Sequence, residues 1–587
     1  MREKTRNTIR SVCRLTLLCA AMLFPGATVV VADNDPNARF RGSGKADPIR
    51  IENVSVKPAG KDASTIALDL AWDWSWRAAW EVSPQQHGGK GTLRLESWDA
   101  AWVFAKFRSP GGEWAHATLA AKAADHRVPA GAAIDVGLSG DGGRGLGVFV
   151  YRKSPGNGAS DLNGVTLRWL HTAGGVEDPR AVDLKVFAIQ MVYVPQCPFW
   201  VGDGSTDPLA GQFSAGDGDR PYRVDSERAI TLGGDGPRNL GTRDCLGMSA
   251  RANDDFHCSH TRDLPETFPK GYAAFYCMRH EMTQRQFVEL LNMLPYEQQA
   301  ALMDCKPSEA AGTFIAGPPT DGKGRNGIRI AAAGTAVTSE VVVYRREPFV
   351  ASATVRKSSA PAVFETLLPH VACNNITHRD GTVFAAWAGL RPMTELEFEK
   401  ACRGPLGPVA NEYAWGTDAI AGSGAKGEQY TLQNPGQPDE TVAWSGENGP
   451  DAVRGNALCS TNDKGTGALR VGIFATRDSD RVRAGASYWG ILDMTGNLLE
   501  AAVPVGSAAG RTFAGTHGDG TDAPWRASVF GLRGGGQPYG GHAGLWGRDN
   551  AFRVSNRRVA VKPGPYNADR RHFSAGFRCV RTAPKAN

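Results

Sequence analysis

The sequence predicts a loop-rich α+β protein that begins with an antiparallel β-sandwich, and three observations lead to this fold class. Residues 49–186 contain short segments rich in Val, Trp, Phe and Thr that alternate in character and are separated by Gly, Pro, Asp or Asn turns, which is the pattern of a sandwich. Three later segments carry helix start signals. The 587 residues include 71 Gly and 35 Pro, which favours many turns over long helical rods.

The predicted strands of this first region are short and mostly alternate apolar with polar residues. In chain order they are IRIENVSV, STIALDLAWDW, GTLRLESW, AWVFAKFR, GLGVFVYR, GVTLRWL and DLKVFAIQMVYV. We therefore predict a β-sandwich domain at 49–186, followed by a second domain at 187–582. A chain of 587 residues is too long for a single core, so more than one domain is expected.

The first region also carries a dense group of tryptophans: Trp72, Trp74, Trp76, Trp80, Trp98, Trp102 and Trp114. One interpretation is a carbohydrate platform, because aromatic rings stack on sugar faces. The other is packing in the sandwich core. The AWDWSW run alternates as a strand does, so half of its rings must point inward, and this favours core packing.

Three helices are predicted at capping boxes, where a Thr is followed three residues later by a side chain that reaches back to its N–H. The boxes are Thr283 to Gln286, Thr377 to Asp380 and Thr394 to Glu397. The first helix should stop before Pro295, and the other two should end at Gly389 and Gly404.

Residues 1–32 resemble a targeting segment, with a basic start, an apolar stretch and small residues before Asp33. They predict an exported protein that is periplasmic or extracellular. Residues 33–48 are polar and rich in Gly and Pro, so we expect a disordered leader there. No later segment has the roughly 20 apolar residues that a membrane span requires.

Charge argues against a nucleic-acid partner. Removal of residues 1–32 takes away five basic residues and one acidic residue, which lowers the net charge from +6 to +2. Nine cysteines then remain: Cys197, Cys245, Cys258, Cys277, Cys305, Cys373, Cys402, Cys459 and Cys579. The odd number leaves at least one thiol free or paired outside the chain.

Five motifs in the second region resemble, in this order, the formylglycine-generating enzyme or sulfatase-modifying factor family. They are RPMTELEFEKACRG at 391–404, YAWG at 413–416, YWGILDMTGNLLE at 488–500, GLRGGG at 531–536 and SAGFRCVR at 574–581. The resemblance implies a C-type-lectin-like fold for residues 187–582. Relative to the compact family core, two stretches are insertions, at about 205–268 and about 306–370, and the second reads as a β-hairpin or meander.

The resemblance also implies a disulfide and a structural calcium site. It pairs Cys402 with Cys579, and it assigns calcium to four ligands: Asp493, Gly496, Leu498 and Glu500. A turn through a glycine between two acidic residues suits a cation that takes six to eight oxygen ligands. The alternative is that Asp493 caps a turn and Glu500 pairs with an arginine.

The family oxidises its substrate with two thiols that bind copper, and these lie between the GLRGGG and SAGFRCVR motifs. In this chain that segment contains no cysteine, so copper is not expected and no catalytic residues are assigned. We expect a surface that binds a peptide or glycan through rings, guanidiniums and amides: Trp525, Tyr539, His542, Trp546, Arg548, Asp549, Asn550, Arg553 and Arg557. Two alternatives stay open, a metal-dependent oxidoreductase with a non-standard site and a surface assembly protein.

Overall fold

The computed structural model describes most of the chain, in fourteen ranges. These are 34–205, 211–216, 218–242, 254–317, 324–336, 338–346, 349–357, 359–421, 429–445, 449–458, 467–519, 530–536, 552–561 and 571–584. The predicted signal peptide at 1–32 lies outside them. Within these ranges, strands and irregular segments far exceed helices, which confirms the loop-rich α+β character.

Six short α-helices occur in the described residues. They are α1 Pro84–His87, α2 Gln284–Leu291, α3 Tyr296–Ala301, α4 His378–Trp387, α5 Glu395–Arg403 and α6 Ala508–Arg511. Helices α2, α4 and α5 confirm the three predicted capping boxes, with both reciprocal hydrogen bonds formed in each.

The strands of the first region are long. They are β1 Arg50–Pro58, β2 Ser64–Val82, β3 Leu93–Arg108, β4 Ala115–His116, β5 Ala132–Leu138, β6 Gly145–Arg152, β7 Gly156–Trp169 and β8 Asp183–Val194.

The later strands are mostly short. They are β9 Phe199–Val201, β10 Phe213–Ala215, β11 Tyr222–Val224, β12 Ile230–Leu232, β13 Leu240–Thr242, β14 Arg262–Leu264, β15 Phe275–Met278, β16 Ile328–Ala332, β17 Thr338–Arg346, β18 Phe349–Lys357, β19 Val363–Thr366, β20 Arg391–Pro392, β21 Ala419–Ile420, β22 Gln429–Gln433, β23 Thr441–Ser445, β24 Arg454–Gly455, β25 Leu499–Ala502, β26 Gly531–Arg533, β27 Ala575–Gly576 and β28 Cys579–Thr582.

One hydrogen-bonded sheet of eleven strands runs through both predicted domains. Its main path is β1-β2-β3-β8-β15-β28-β20, with β4 and β6 also paired to β3, β5 to β6 and β7 to β2. The predicted boundary at 186 lies inside β8, which pairs antiparallel with β3 and with β15. The sheet therefore crosses the boundary without a linker. The finer assignments, a β-sandwich and a C-type-lectin-like fold, stay predictions.

The core of the first region lies between alternate side chains of β2 and β7 and those of β3 and β6. In β2, every second residue from Ser64 to Trp76 is buried, as expected for a strand with one inward face. The tryptophans follow this pattern. Trp72, Trp74, Trp76, Trp98 and Trp102 are all buried, which confirms core packing for these five rings, whereas Trp80 and Trp114 are half-buried.

The leader is ordered, contrary to the prediction of disorder. Asp35 caps a 3-10 helix at Pro36–Phe40 by accepting from the N–H of Asn37. The buried Arg39 side chain donates to the Tyr488 carbonyl at 2.7 Å and lies 4.3 Å from the Trp80 ring centroid. The polar composition was misleading because these polar groups find partners within the protein, Asp35 inside the leader and Arg39 in the second region, instead of in water.

Both predicted insertions form sheets of their own. In the first, β10, β13, β12 and β14 make a four-stranded sheet, and its apolar side chains pack in one cluster with Leu396 of α5. In the second, β17 and β18 pair antiparallel, which confirms the predicted hairpin. Within the described ranges, none of the helices combines the length and apolar character needed to cross a membrane.

Candidate functional site

The RPMTELEFEKACRG motif forms β20 and α5, and all nine residues of α5 are buried although five of them are charged. Each carboxylate of the helix has an arginine partner, and three of these arginines come from other segments. The pairs are Glu397 with Arg391 at 2.6 Å, Glu399 with Arg403 at 3.0 Å, Glu399 with Arg533 at 2.6 Å and Glu395 with Arg557 at 2.7 Å. Bidentate arginine pairs fix geometry as well as charge. The pairs therefore hold α5 in a fixed position relative to the segments that carry its arginine partners.

Arg557 belongs to this interior network and does not line an open surface. Its guanidinium donates to Glu395 at 2.7 and 3.0 Å and to Asp254 at 2.9 and 3.1 Å. Although burial alone lowers the pKa of Arg557, the two carboxylates raise it above its usual value. The sequence-based assignment of Arg557 to a binding surface is therefore corrected: it is a structural arginine, because two carboxylates surround it.

Arg553 is placed differently. It is half-buried, its Nε and Nη1 have no hydrogen-bond partner within the part of the chain that the structure describes, and its guanidinium lies 5.8 Å from the Tyr413 ring centroid. Both atoms are buried, and a buried donor without a partner is costly. Seven other predicted binding residues lie outside the described residues: Trp525, Tyr539, His542, Trp546, Arg548, Asp549 and Asn550.

The GLRGGG and YAWG motifs build the floor beneath Arg553. Phe552 packs in one cluster with Tyr413 and Trp415, whose rings stack 5.0 Å apart. Gly535 has a φ of +69°, and a Cβ there would lie 2.4 Å from the Phe552 ring. This position therefore requires glycine both for its left-handed backbone and for the close approach of the ring.

The predicted calcium loop makes a tight turn, with positive φ at Asp493, Gly496 and Asn497. Asp493 accepts from the N–H of Gly472 at 2.7 Å. Glu500 receives Arg578 Nε at 2.9 Å on each oxygen and Arg578 Nη2 at 2.6 Å. The alternative interpretation, in which Glu500 pairs with an arginine, is therefore the arrangement that the structure has.

A third carboxylate, Glu281, lies in this loop and was not singled out in the sequence. It is fully buried and accepts from the backbone N–H of Leu498 at 2.9 Å and from the Asn497 amide. Its pKa is raised well above the usual value by burial, and further by the nearby Asp493 and Glu500 carboxylates. Only its place just after β15 could have drawn attention to it, since its partners lie more than 200 residues away.

The donor set fits calcium in part. Asp493 and the backbone oxygens of the turn are hard ligands of the kind that calcium takes. The Glu500 carboxylate, however, is already shared with Arg578. Among the described residues, no three His, Cys, Asp or Glu side chains converge as a metal-binding group. The calcium site stays a prediction.

The thiols of the second region lie mostly in the interior. Cys277, Cys373, Cys402 and Cys579 are buried and free, whereas Cys305 is half-buried. Burial raises the pKa of Cys277 to about 12 and also raises those of the other three buried thiols. At neutral pH these four groups are therefore protonated.

The structure does not show the disulfide expected between Cys402 and Cys579. Cys402 packs in one apolar cluster with Val580, whereas Cys579 packs in another. Because neighbouring residues of a strand point to opposite faces, Cys579 of β28 faces away from the side on which Val580 meets Cys402. The pairing stays a prediction.

A family model described as the sulfatase-modifying factor enzyme 1-like domain matches residues 259–583. This range contains all five motifs of the sequence analysis and covers more than half of the chain. No curated protein matches the chain. Helix α5 and its arginine partners, the loop at 488–500 and the final strand all lie inside the matched range, and the chain belongs to the sulfatase-modifying factor family.

Proposed function

We propose that this chain is an exported, non-oxidising member of the family that binds a peptide or a glycan. The single observation that carries the proposal is the state of its thiols. The segment at 536–578 between two family motifs contains no cysteine. Among the described cysteines of the second region, Cys258 is exposed and Cys305 is half-buried. The other five are buried with raised pKa values: Cys197, Cys277, Cys373, Cys402 and Cys579. Copper and oxygen chemistry needs thiolates, which these environments disfavour.

Binding is the function that the remaining chemistry supports. Arg553 is half-buried, and two of its N–H donors have no partner among the described residues; it lies beside the buried aromatic cluster of Phe552, Tyr413 and Trp415. A guanidinium next to aromatic rings suits a carbonyl-rich peptide or the hydroxyls and apolar face of a sugar. In this proposal the predicted ligand-binding residues outside the described ranges complete the surface.

We further propose that calcium stabilises this domain at the 493–500 loop. The support is the charge of the loop, where Glu281, Asp493 and Glu500 lie within each other's electrostatic influence and Arg578 pairs with Glu500 alone. A divalent cation would offset the remaining negative charge. Asp493 would supply a carboxylate oxygen, and Gly496 and Leu498 would supply backbone oxygens.

Two measurements test the central proposal. In the first, the folded protein is titrated with Cu(I) against a chromophoric chelator, and then incubated with a cysteine-containing peptide, Cu(I) and oxygen. We expect no Cu(I) held against the chelator and no change in peptide mass. A stoichiometric copper site together with oxidation of the peptide cysteine would overturn the proposal and establish the alternative, an oxidoreductase with a relocated site.

In the second measurement, the protein is applied to peptide and glycan arrays, and the strongest hit is measured in solution with wild type and Arg553→Ala. Loss of a charge-assisted hydrogen bond should weaken binding about tenfold or more. The matched control is Arg94→Ala, which removes an equal charge from a side chain that is 87% exposed. Equal affinities of the two variants would remove Arg553 from the binding surface.

A further inference from the structure

A cavity of about 380 Å³ lies between the leader and the second region, away from the surface around Arg553. Most of its wall comes from residues 42–54, from β8 between Leu184 and Gln190, and from the segment 278–289; residues 369–370, 470–472, Ala475 and Leu492 complete it. Its volume lies within the range of small-molecule sites in proteins. Since the wall combines both regions, neither region forms this cavity alone.

One end of the cavity is apolar. Leu184, Val186 and Ala188 alternate along β8 and are half-buried, so they form a strip on one face of the strand. Ile51 of β1 lies opposite and packs with the same cluster. The next position on this face of β8 is Gln190, where the apolar strip ends.

At the other end, three adjoining residues have polar atoms with no hydrogen-bond partner among the residues that the structure describes. Gln190 is 8% exposed and donates to Asp99 at 2.8 Å, but its Oε1 has no partner. Arg279, whose N–H donates to the Gln190 carbonyl at 2.9 Å, is 2% exposed and has an unpartnered Nε. His280 follows with an unpartnered Nδ1. Buried polar atoms without partners are uncommon and costly, at about 1–3 kcal/mol each, so a ligand that satisfied them would be favoured.

The electrostatic character of this end is positive. Five basic residues line the cavity, Lys45, Lys185, Arg279, Arg285 and Arg470, and Lys45 also pairs with Asp73 at 2.9 Å. Three acidic residues also line it, but each is already engaged. Asp47 accepts from the N–H groups of Asp73 and Trp74, Glu281 from that of Leu498, and Glu289 from Arg285.

The pKa values of the two histidines in the cavity wall are shifted in the direction that a positive environment produces. Burial lowers the pKa of His280 well below its usual value, and Arg279, Arg578 and Arg470 lower it further. Burial and two arginines act in the same direction on His370. Neutral imidazoles among guanidiniums leave the positive charge of the arginines available to an anion.

We propose that this cavity binds a small amphipathic anion, with its charged head at Gln190, Arg279 and His280 and its apolar body along the Leu184–Ala188 strip. The ligand class is a medium-chain carboxylate or an organic molecule of similar shape and charge. This site is separate from the peptide or glycan surface of the proposed function, so either proposal can fail without the other.

The test uses three probes on the full chain: octanoate, octanol and inorganic phosphate. Binding is measured by calorimetry and by the shift in melting temperature. Octanoate should bind at least tenfold more tightly than octanol, which lacks the charge, and than phosphate, which lacks the apolar body. Failure of octanoate to bind would overturn the proposal. If octanol bound as tightly as octanoate, the proposed anion site would be refuted. If phosphate bound as tightly as octanoate, the proposed apolar site would be refuted.

Two variants locate the bound probe. Ala188→Leu fills the apolar strip and should weaken octanoate at least tenfold. His280→Phe keeps a ring against Gly472, where the imidazole Cε1 lies 2.7 Å from the position of a Cβ, but removes both ring nitrogens. It should weaken octanoate about tenfold and leave octanol unchanged. Unchanged octanoate affinity in both variants would place the probe elsewhere and refute the site.

A surface pair of variants keeps the test informative if His280→Phe does not fold. Arg285→Gln removes a positive charge from the cavity wall, where Arg285 pairs with Glu289 at 3.0 Å. Arg94→Gln removes the same charge from a surface pair with Glu81 at 3.1 Å. Octanoate should weaken several-fold in Arg285→Gln alone. An equal effect of both variants would mean that only the net charge matters, which contradicts a built site.

Discussion

The two regions of this protein are stabilised in different ways. The first region, β1 to β8, consists of long strands whose backbone groups pair with each other. Their alternate side chains pack in apolar clusters that contain four fully buried tryptophans, Trp72, Trp76, Trp102 and Trp169. The second region has short strands and few helices. Its interior holds Arg391, Arg403, Arg533, Arg557 and Arg578, each paired with a carboxylate.

The difference follows from where the backbone hydrogen bonds go. Long paired strands satisfy their own N–H and C=O groups, whereas irregular segments leave carbonyls that side chains must satisfy. Arg578 shows this directly: besides Glu500, it donates to the carbonyls of Met278 and Leu492, both at 2.8 Å. Buried arginines therefore replace part of the backbone pairing in the loop-rich region.

The largest effect on stability is expected when one buried arginine of the second region is removed. Arg557→Met should lower the free energy of unfolding by about 3–5 kcal/mol, because the buried Asp254 would lose its arginine partner and Glu395 would keep only the longer pair with Arg533 at 3.3 Å. The measurement is urea denaturation, with Arg94→Met as a control that should change stability by less than about 0.5 kcal/mol. If both variants had equal midpoints, the network around α5 would not be a source of stability.

The next prediction concerns the acidic loop at 493–500. It tests whether calcium stabilises this loop, whereas arginines stabilise the carboxylates around α5. If the loop binds calcium, a concentration 100-fold above the dissociation constant should stabilise the protein by about 2.7 kcal/mol. Asp493→Asn should abolish this stabilisation, and Mg²⁺ should not reproduce it, because Mg²⁺ demands a smaller octahedral site. If calcium did not change the melting temperature of the wild type, the site would be refuted.

A buried charge in the first region provides the pH test. Burial lowers the pKa of Lys106 on β3 to about 7, whereas the unfolded chain has a lysine pKa near 10.4. Between these values the unfolded state binds more protons than the folded state, so stability should rise with pH from about 7 to 10, by at most about 1.4 kcal/mol per pH unit.

The control for this effect is Lys106→Met, which removes the titrating group and should flatten the stability profile over the same pH range. Melting curves at several pH values measure both proteins. If the profile of the variant rose as steeply as that of the wild type, Lys106 would not be the group that titrates.

Local signals in the sequence predicted the elements that depend on local chemistry. The capping boxes at Thr283, Thr377 and Thr394 begin real helices, and the alternation of AWDWSW corresponds to a buried strand face. The family motifs likewise pointed to the domain that the family model matches. The helix caps and the strand pattern depend on residues that are close together in the sequence. The family motifs can be recognised from their residues alone.

The sequence could not predict contacts that join distant segments. The partners of Arg557 lie 162 and 303 residues away along the chain, so nothing local distinguished it from the half-buried Arg553. The leader seemed disordered for the same reason, because Arg39 finds Tyr488 at a separation of 449 residues. The cavity beside β8 exists only where the two regions meet, and no motif marked it.

The smallest expected effect tests whether N-terminal caps stabilise the few helices of the second region. Thr283 accepts from the N–H of Gln286, and the Gln286 side chain accepts from the N–H of Thr283. Thr283→Ala removes one of these bonds and should cost about 1 kcal/mol, as measured by urea denaturation. Thr231→Ala, on an exposed position of β12, is the control and should change stability by less than about 0.5 kcal/mol. An equal cost in both variants would mean that packing of Phe287, Leu290 and Leu291 against the core, rather than the cap, sets the start of α2.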